Sequence, residues 1–150
     1  RVSLFVAERS PHYGDMSQSG PRVDGPLRVL VVDADDRIRE SLTGLLSISG
    51  QCMVVASAGQ VGEALDLANA HRPDVVIVDP RLPEVDGGIA FISRLRAQLP
   101  GVRILAMSWS DSLESAALAS GADGFVRKTF RPTELTAAIV AAGQGIKPAA

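Results

Sequence analysis

From Leu27 onward the chain alternates short apolar runs with stripes of helical period, and it does so five times. Val29-Leu30-Val31-Val32 and Val75-Val76-Ile77-Val78 are uninterrupted and rich in β-branched residues, which suits strands buried on both faces. Strands are predicted near residues 27–33, 52–56, 74–79, 102–108 and 124–127. Between them, apolar positions recur three and four residues apart: Ile38, Leu42, Leu45 and Leu46; Val61, Ala64, Leu65 and Ala68; Phe91, Ile92, Leu95 and Leu99; Leu113, Ala116 and Ala117; Leu135, Ala138, Ile139 and Ala142. Each set makes one buried helix face. Pro73 and Pro100 stand just before strands, and Pro132-Thr133 opens the last helix. Strict alternation of strand and helix predicts an α/β domain with a doubly wound parallel sheet of five strands and five flanking helices.

Residues 1–26 lack this rhythm. Ser10-Pro11, Gly14-Asp15, Ser17-Gln18-Ser19-Gly20-Pro21 and Gly25-Pro26 are turn and linker dipeptides, so this stretch reads as a flexible N-terminal extension. Residues 27–145 form the expected domain, and 146–150 read as a C-terminal end or linker remnant. An extension with so little to bury cannot order itself. If a partner holds it, Leu4, Phe5, Val6 and Tyr13 are the expected anchors, and the protein would be an accessory subunit of a larger assembly.

Composition narrows the function. At 150 residues and 46% hydrophobic, the chain supports one well-buried domain. A formal charge of −2, with its basic residues spread along the whole length, gives no footprint for direct nucleic-acid binding. Cys52 is the single cysteine, which excludes an internal disulfide and points to a reducing, cytoplasmic setting. No apolar run approaches the length of a membrane span. His12 and His71 have no companion at metal-ligand spacing.

The chemistry sits at the strand ends. Asp33 follows the first predicted strand, Asp79 the third, Ser108 the fourth and Lys128 the fifth. In a sheet ordered 2-1-3-4-5 these residues converge on one crevice, where open α/β sheets place their ligands. Two carboxylates, a hydroxyl and an ammonium suit a divalent cation beside a phosphoryl group. A carboxylate can then act as nucleophile, and the protein's task is alignment and charge neutralisation. If Asp33 and Asp79 merely capped helices, one acid per loop would be explained and their convergence would not.

The motif Asp79-x-x-Leu82-Pro83-x-x-Asp86-Gly87, Ser108 after Arg103-Ile104-Leu105-Ala106-Met107, the run Gly121-Ala122-Asp123-Gly124-Phe125, and Lys128 resemble the receiver domain of two-component response regulators in order and spacing. The resemblance extends from Leu27 to about Gly145 and implies the flavodoxin-like receiver fold. It also implies that Asp79 accepts phosphate from a histidine kinase, and that Asp33, Asp79 and the backbone carbonyl of Arg81 hold Mg²⁺. Ser108 would be the switch hydroxyl, Phe125 the switch aromatic and Lys128 the phosphate-contacting lysine.

Three departures from that pattern matter. The family usually carries two adjacent acids after the first strand, the second of which touches the metal; here the second is Ala34. A Mg²⁺ site built on one or two carboxylates loses much when one is removed, so the expected site is weak or absent. Asp35 reads as a solvated loop acid and Asp36 as a helix N-cap, so neither is expected to replace the missing ligand. Trp109 follows the switch hydroxyl where a small residue is usual, and Thr129 replaces the proline that commonly follows the lysine.

These features predict an atypical, single-domain receiver that acts through protein contacts, because few residues follow the fifth helix. The surface of the fourth helix, fifth strand and fifth helix, with Leu113, Leu118 and Phe130, is the expected contact face. A conventional phosphoacceptor working from Asp33, Asp79 and a displaced third ligand is the alternative. A remoter rival is a haloacid-dehalogenase-like phosphatase, with Asp33 as nucleophile and Asp35 as general acid, which Val29-Leu30-Val31-Val32-Asp33-x-Asp35 resembles locally. It assigns no role to Asp79. On the receiver reading the chain is not an enzyme beyond transfer of phosphate to its own Asp79.

Overall fold

A computed structural model describes residues 25–82, 87–128 and 131–145. The expectations for Leu4, Phe5, Val6 and Tyr13, for the Pro83 to Asp86 turn, for Thr129 and Phe130, and for residues 146–150 lie outside the described residues.

Strand and helix alternate as β1 (Leu27–Val32), α1 (Asp36–Ile48), β2 (Cys52–Ala58), α2 (Val61–His71), β3 (Val75–Val78), α3 (Gly87–Gln98), β4 (Arg103–Ser108), α4 (Glu114–Ala119), β5 (Gly124–Arg127) and α5 (Pro132–Gly143). All strand pairings are parallel, and the five-stranded sheet runs β2-β1-β3-β4-β5. The pleat divides the core between two faces. Val76 and Val78 point to one, against Ala64, Leu65 and Ala68 of α2, Phe91, Ile92 and Leu95 of α3, and Ala117 of α4. Val75 and Ile77 point to the other, against Leu42 and Leu46 of α1 and Leu135, Ala138 and Ile139 of α5. Every β3 residue is buried, as expected for a central strand covered by helices on both sides. Each such Val or Ile contributes about 1.5–3 kcal/mol of transfer free energy. Truncating Ile77, 1% exposed, to Ala would cost roughly 2–5 kcal/mol once the cavity is included.

Three local expectations change. β2 continues to Ala58, two residues beyond its predicted end, after an irregularity in its register with β1 between Val29 and Leu30. The α1 cap is Asp35, not Asp36: the Asp35 carboxylate accepts the Arg37 N–H at 2.9 Å, and Asp36 is the first helical residue. In α4 only Ala117 is buried, while Ala116 is exposed and Leu113 is half-buried at the cap. A six-residue helix has too few turns for a full stripe.

The loops at the carboxyl edge are pinned. A Cβ on Gly88, in the first turn of α3, would lie 2.4 Å from Pro80 Cα, so only glycine lets the helix sit against the backbone that follows Asp79. At the opposite edge Arg96 donates to the carbonyls of Gly121, Pro100 and Val102 and to Asp123 Oδ2 at 2.6 Å. Among the described residues no helix is long and apolar enough to cross a membrane.

Candidate functional site

Sheet register brings the two acids together. Val32 pairs with Val78, so the residues that follow, Asp33 and Asp79, leave the sheet side by side. The ladder continues one step past the strands, because the Asp79 N–H donates to the Val32 carbonyl at 3.0 Å and the Asp33 N–H to the Ala58 carbonyl at 3.0 Å. Lys128 leaves β5 beside Ser108, whose carbonyl accepts its N–H at 2.8 Å.

The Lys128 ammonium then reaches across two strands and bonds both acids, Asp33 Oδ2 at 2.7 Å and Asp79 Oδ2 at 2.8 Å. The second oxygen of each carboxylate is also engaged: Asp33 Oδ1 accepts the Asp35 N–H at 2.9 Å, and Asp79 Oδ1 accepts the Arg81 N–H at 2.8 Å. Each acid thus closes its own turn with one oxygen and faces the lysine with the other. Side-chain exposure is 4% for Asp33 and 3% for Lys128, against 11% for Asp79, which is the most accessible of the three. Burial alone would lower the Lys128 pKa, but hydrogen bonds to Asp33 and Asp79, and their charges, outweigh it and raise it above the ordinary lysine value.

Ser108 is fully buried and its hydroxyl oxygen has no hydrogen-bond partner. A buried hydroxyl without a partner is costly, so its retention calls for a function or a ligand. Phe125 pairs in register with Ala106 and is half-buried against the core between the sheet and α2 to α4. It shares the sheet face of Ser108, two residues beyond Ala106, and packs as core would.

Ala34 is exposed, and its methyl side chain carries no oxygen to offer the site. Asp35, the nearest further acid in sequence, is committed to the α1 N-terminus through Arg37 N–H. Among the described residues no group of three or more His, Cys, Asp or Glu side chains is arranged to hold a metal ion. The side chains that meet are two carboxylates and the lysine they share, and the unpartnered Ser108 hydroxyl ends the neighbouring strand.

Three arginines that the sequence pattern did not single out for side-chain roles shape the rim. Arg39 of α1 donates to the Asp33 carbonyl. Its guanidinium lies 2.8 Å from where a Gly59 Cβ would stand, so a side chain there would push the arginine aside. Arg81 reaches Ser112 Oγ at 2.6 Å, and Arg127 Nε donates to the Trp109 carbonyl at 2.9 Å. An arginine outside the apolar stripes adds nothing to the periodic pattern, and its reach is decided by tertiary placement. The Trp109 ring centroid lies 5.3 Å from Lys128 Nζ, within cation–π range.

Known proteins share this fold. The response regulator receiver domain family matches residues 29–140. The response regulator MprA of Mycolicibacterium vanbaalenii is 40% identical over 114 residues, which are 75% of this chain and 48% of that protein. The DNA-binding transcriptional activator DevR/DosR of Mycobacterium tuberculosis is 35% identical over 121 residues, 79% of this chain and 55% of its own. The chain therefore spans about half the length of these relatives. Among solved structures, the signal receiver domain of NarL from Mycobacterium tuberculosis superposes with a TM-score of 0.74 at 35% identity, covering 81% of this chain and 99% of that domain. The response regulator domain of Thermotoga maritima CheB gives 0.71 at 27% identity, covering 79% of this chain and 96% of that one.

Proposed function

The chain belongs to the response regulator receiver family, and on that footing we propose that residues 27–145 form a receiver whose phosphoacceptor is Asp79, whose Mg²⁺ site is weakened by Ala34, and whose output runs through protein contacts. The observation that carries this reading is the Lys128 ammonium held between Asp33 and Asp79, with no third acid beside them among the described residues.

In the proposed reaction an Asp79 carboxylate oxygen attacks phosphorus of a phosphohistidine. The new P–O bond forms as the P–N bond breaks, and the imidazole leaves with the electron pair. Lys128 then exchanges its bond to Asp79 Oδ2 for one to a phosphoryl oxygen, and the Ser108 hydroxyl gains the acceptor it lacks. Asp33, Asp79 and the Arg81 backbone carbonyl would hold Mg²⁺, which when bound neutralises the phosphoryl oxygens. With Ala34 in place of an acid, more of that neutralisation falls to Lys128.

The regulatory surface and the accessory role belong to the same proposal. Leu118 is 42% exposed on α4, which packs against β5, and supplies apolar surface for a protein partner. Leu4, Phe5, Val6 and Tyr13 are the proposed anchors of residues 1–26 in a larger assembly. Deleting residues 1–20 should weaken that association, and unchanged co-purification would count against it. For the site, the purified chain is incubated with phosphoramidate and Mg²⁺ and its intact mass is read. A slow gain of one phosphate, lost in Asp79→Asn, supports the reading; label that survives Asp79→Asn contradicts it.

A further inference from the structure

We infer that Trp109 is a positioning residue for Lys128 and that, together with Arg81, it gates the Asp79 pocket, slowing access of both phosphodonor and water. This inference rests on Asp79 being the phosphoacceptor.

Trp109 is 56% exposed, an unusual state for the largest apolar side chain, yet it directly follows Ser108, which is fully buried. It is not loose. Its carbonyl is held by Arg127 Nε at 2.9 Å, and its ring centroid stands 5.3 Å from the Lys128 ammonium. Lys128 is therefore bounded by the two carboxylates and by the indole, and its side chain is only 3% exposed. An aromatic face at that distance attracts the cation and limits its travel. The same cation must shift from carboxylate to phosphoryl oxygen during transfer.

Arg81 supplies the second part. Its N–H is fixed to Asp79 Oδ1 at 2.8 Å, while its guanidinium bonds Ser112 Oγ at 2.6 Å. Ser112 bonds in turn to Ser110, the residue after Trp109, at 3.0 Å. One residue thus ties the turn that carries the nucleophile to the loop that carries the indole. A donor approaching Asp79 must part that link.

The gate acts in both directions. In hydrolysis, a water oxygen attacks phosphorus, the P–O bond to Asp79 breaks, and the carboxylate leaves with its electron pair. Inorganic phosphate and a proton pass to solvent. A ring and a guanidinium that hinder the donor hinder this water as well, so a phosphate once accepted is long-lived.

The experiment follows the intact mass of the full chain with phosphoramidate and Mg²⁺, then after donor removal, for wild type, Trp109→Ala, Trp109→Phe and Arg81→Ala. Trp109→Ala should gain and lose phosphate about two- to fivefold faster, whereas Trp109→Phe, which keeps an aromatic face, should stay within about twofold of wild type. Arg81→Ala should accelerate both steps too, and serves if Trp109→Ala fails to fold. Trp109 is the sole tryptophan, so its emission should also change in Lys128→Met. Wild-type label with unaltered rates in Trp109→Ala and Arg81→Ala overturns the gate alone. Absence of label in every variant, wild type included, overturns the phosphoacceptor reading and the gate with it.

Discussion

Asp33 and Lys128 stand 95 residues apart in the chain and 2.7 Å apart in space. They meet because each directly follows a strand of one parallel sheet, and the lysine is long enough to cross from β5 to the acids beyond β1 and β3. The pair closes nearly the whole domain on itself, so its contribution to stability and its contribution to chemistry are linked.

Lys128→Met should be strongly destabilising. Removing the ammonium leaves two buried carboxylates facing each other without a counter-charge, a change that costs roughly 3–5 kcal/mol. Urea unfolding at neutral pH measures it. The wild-type pH profile gives a second readout. Because the folded-state ammonium is held above the ordinary value of 10.5, its stabilisation is fully present below that pH and is lost as pH rises through the folded-state pKa. Wild type should therefore lose more stability than Lys128→Met above pH 10.5.

Gly88→Ala should disturb the proposed phosphoacceptor without touching it. The added Cβ would meet the Pro80 backbone at 2.4–2.5 Å, and a clash with backbone is relieved only by moving the turn after Asp79. A destabilisation of about 1–3 kcal/mol and slower labelling of Asp79 are expected. Gly44→Ala, with nothing within 4 Å of the new Cβ, should show neither effect.

Arg96→Ala should lower stability by about 1–3 kcal/mol, because it leaves the carbonyls of Gly121 and Val102 without their guanidinium donor and removes one of the two donors to Asp123. Asp123 keeps its bond from the Ile104 N–H at 2.8 Å, so the start of β4 should persist. Thermal unfolding reads the loss, and the phosphorylation rate of the folded fraction should be unchanged.

Cys52 should resist alkylation in the folded chain. Its thiol is buried and burial pushes its pKa up to about 11, so the reactive thiolate is scarce at pH 8. Labelling by iodoacetamide at pH 8 should be slow in buffer and fast in urea.

Much of this architecture is legible in the sequence. The β1 and β3 runs are so uniformly apolar that only a central, doubly covered strand suits them, and strands that end on an acid declare the site edge. Asp33, Asp79 and Lys128 are expected to meet because sheet order converts sequence position into spatial position, and they do. What escaped had no such rule. Asp35 and Asp36 are both competent caps, and the choice between them depends on where β1 releases the chain. The α4 stripe is built mainly from alanines, whose small side chains carry little information about which face is inward. The reach of Arg39, Arg81 and Arg127 depends on rotamers set by neighbours far away in the chain. The site's rim is therefore the part that only the fold reveals.

The direct test of a receiver weakened at its metal site is a Mg²⁺ titration of Asp79 labelling by phosphoramidate, comparing wild type with Ala34→Asp. Restoring the second acid should lower the Mg²⁺ concentration for half-maximal rate by about tenfold or more, the effect of roughly 1.4 kcal/mol of added ion binding, with all label lost in Asp79→Asn. Equal Mg²⁺ requirements in the two proteins would contradict the account.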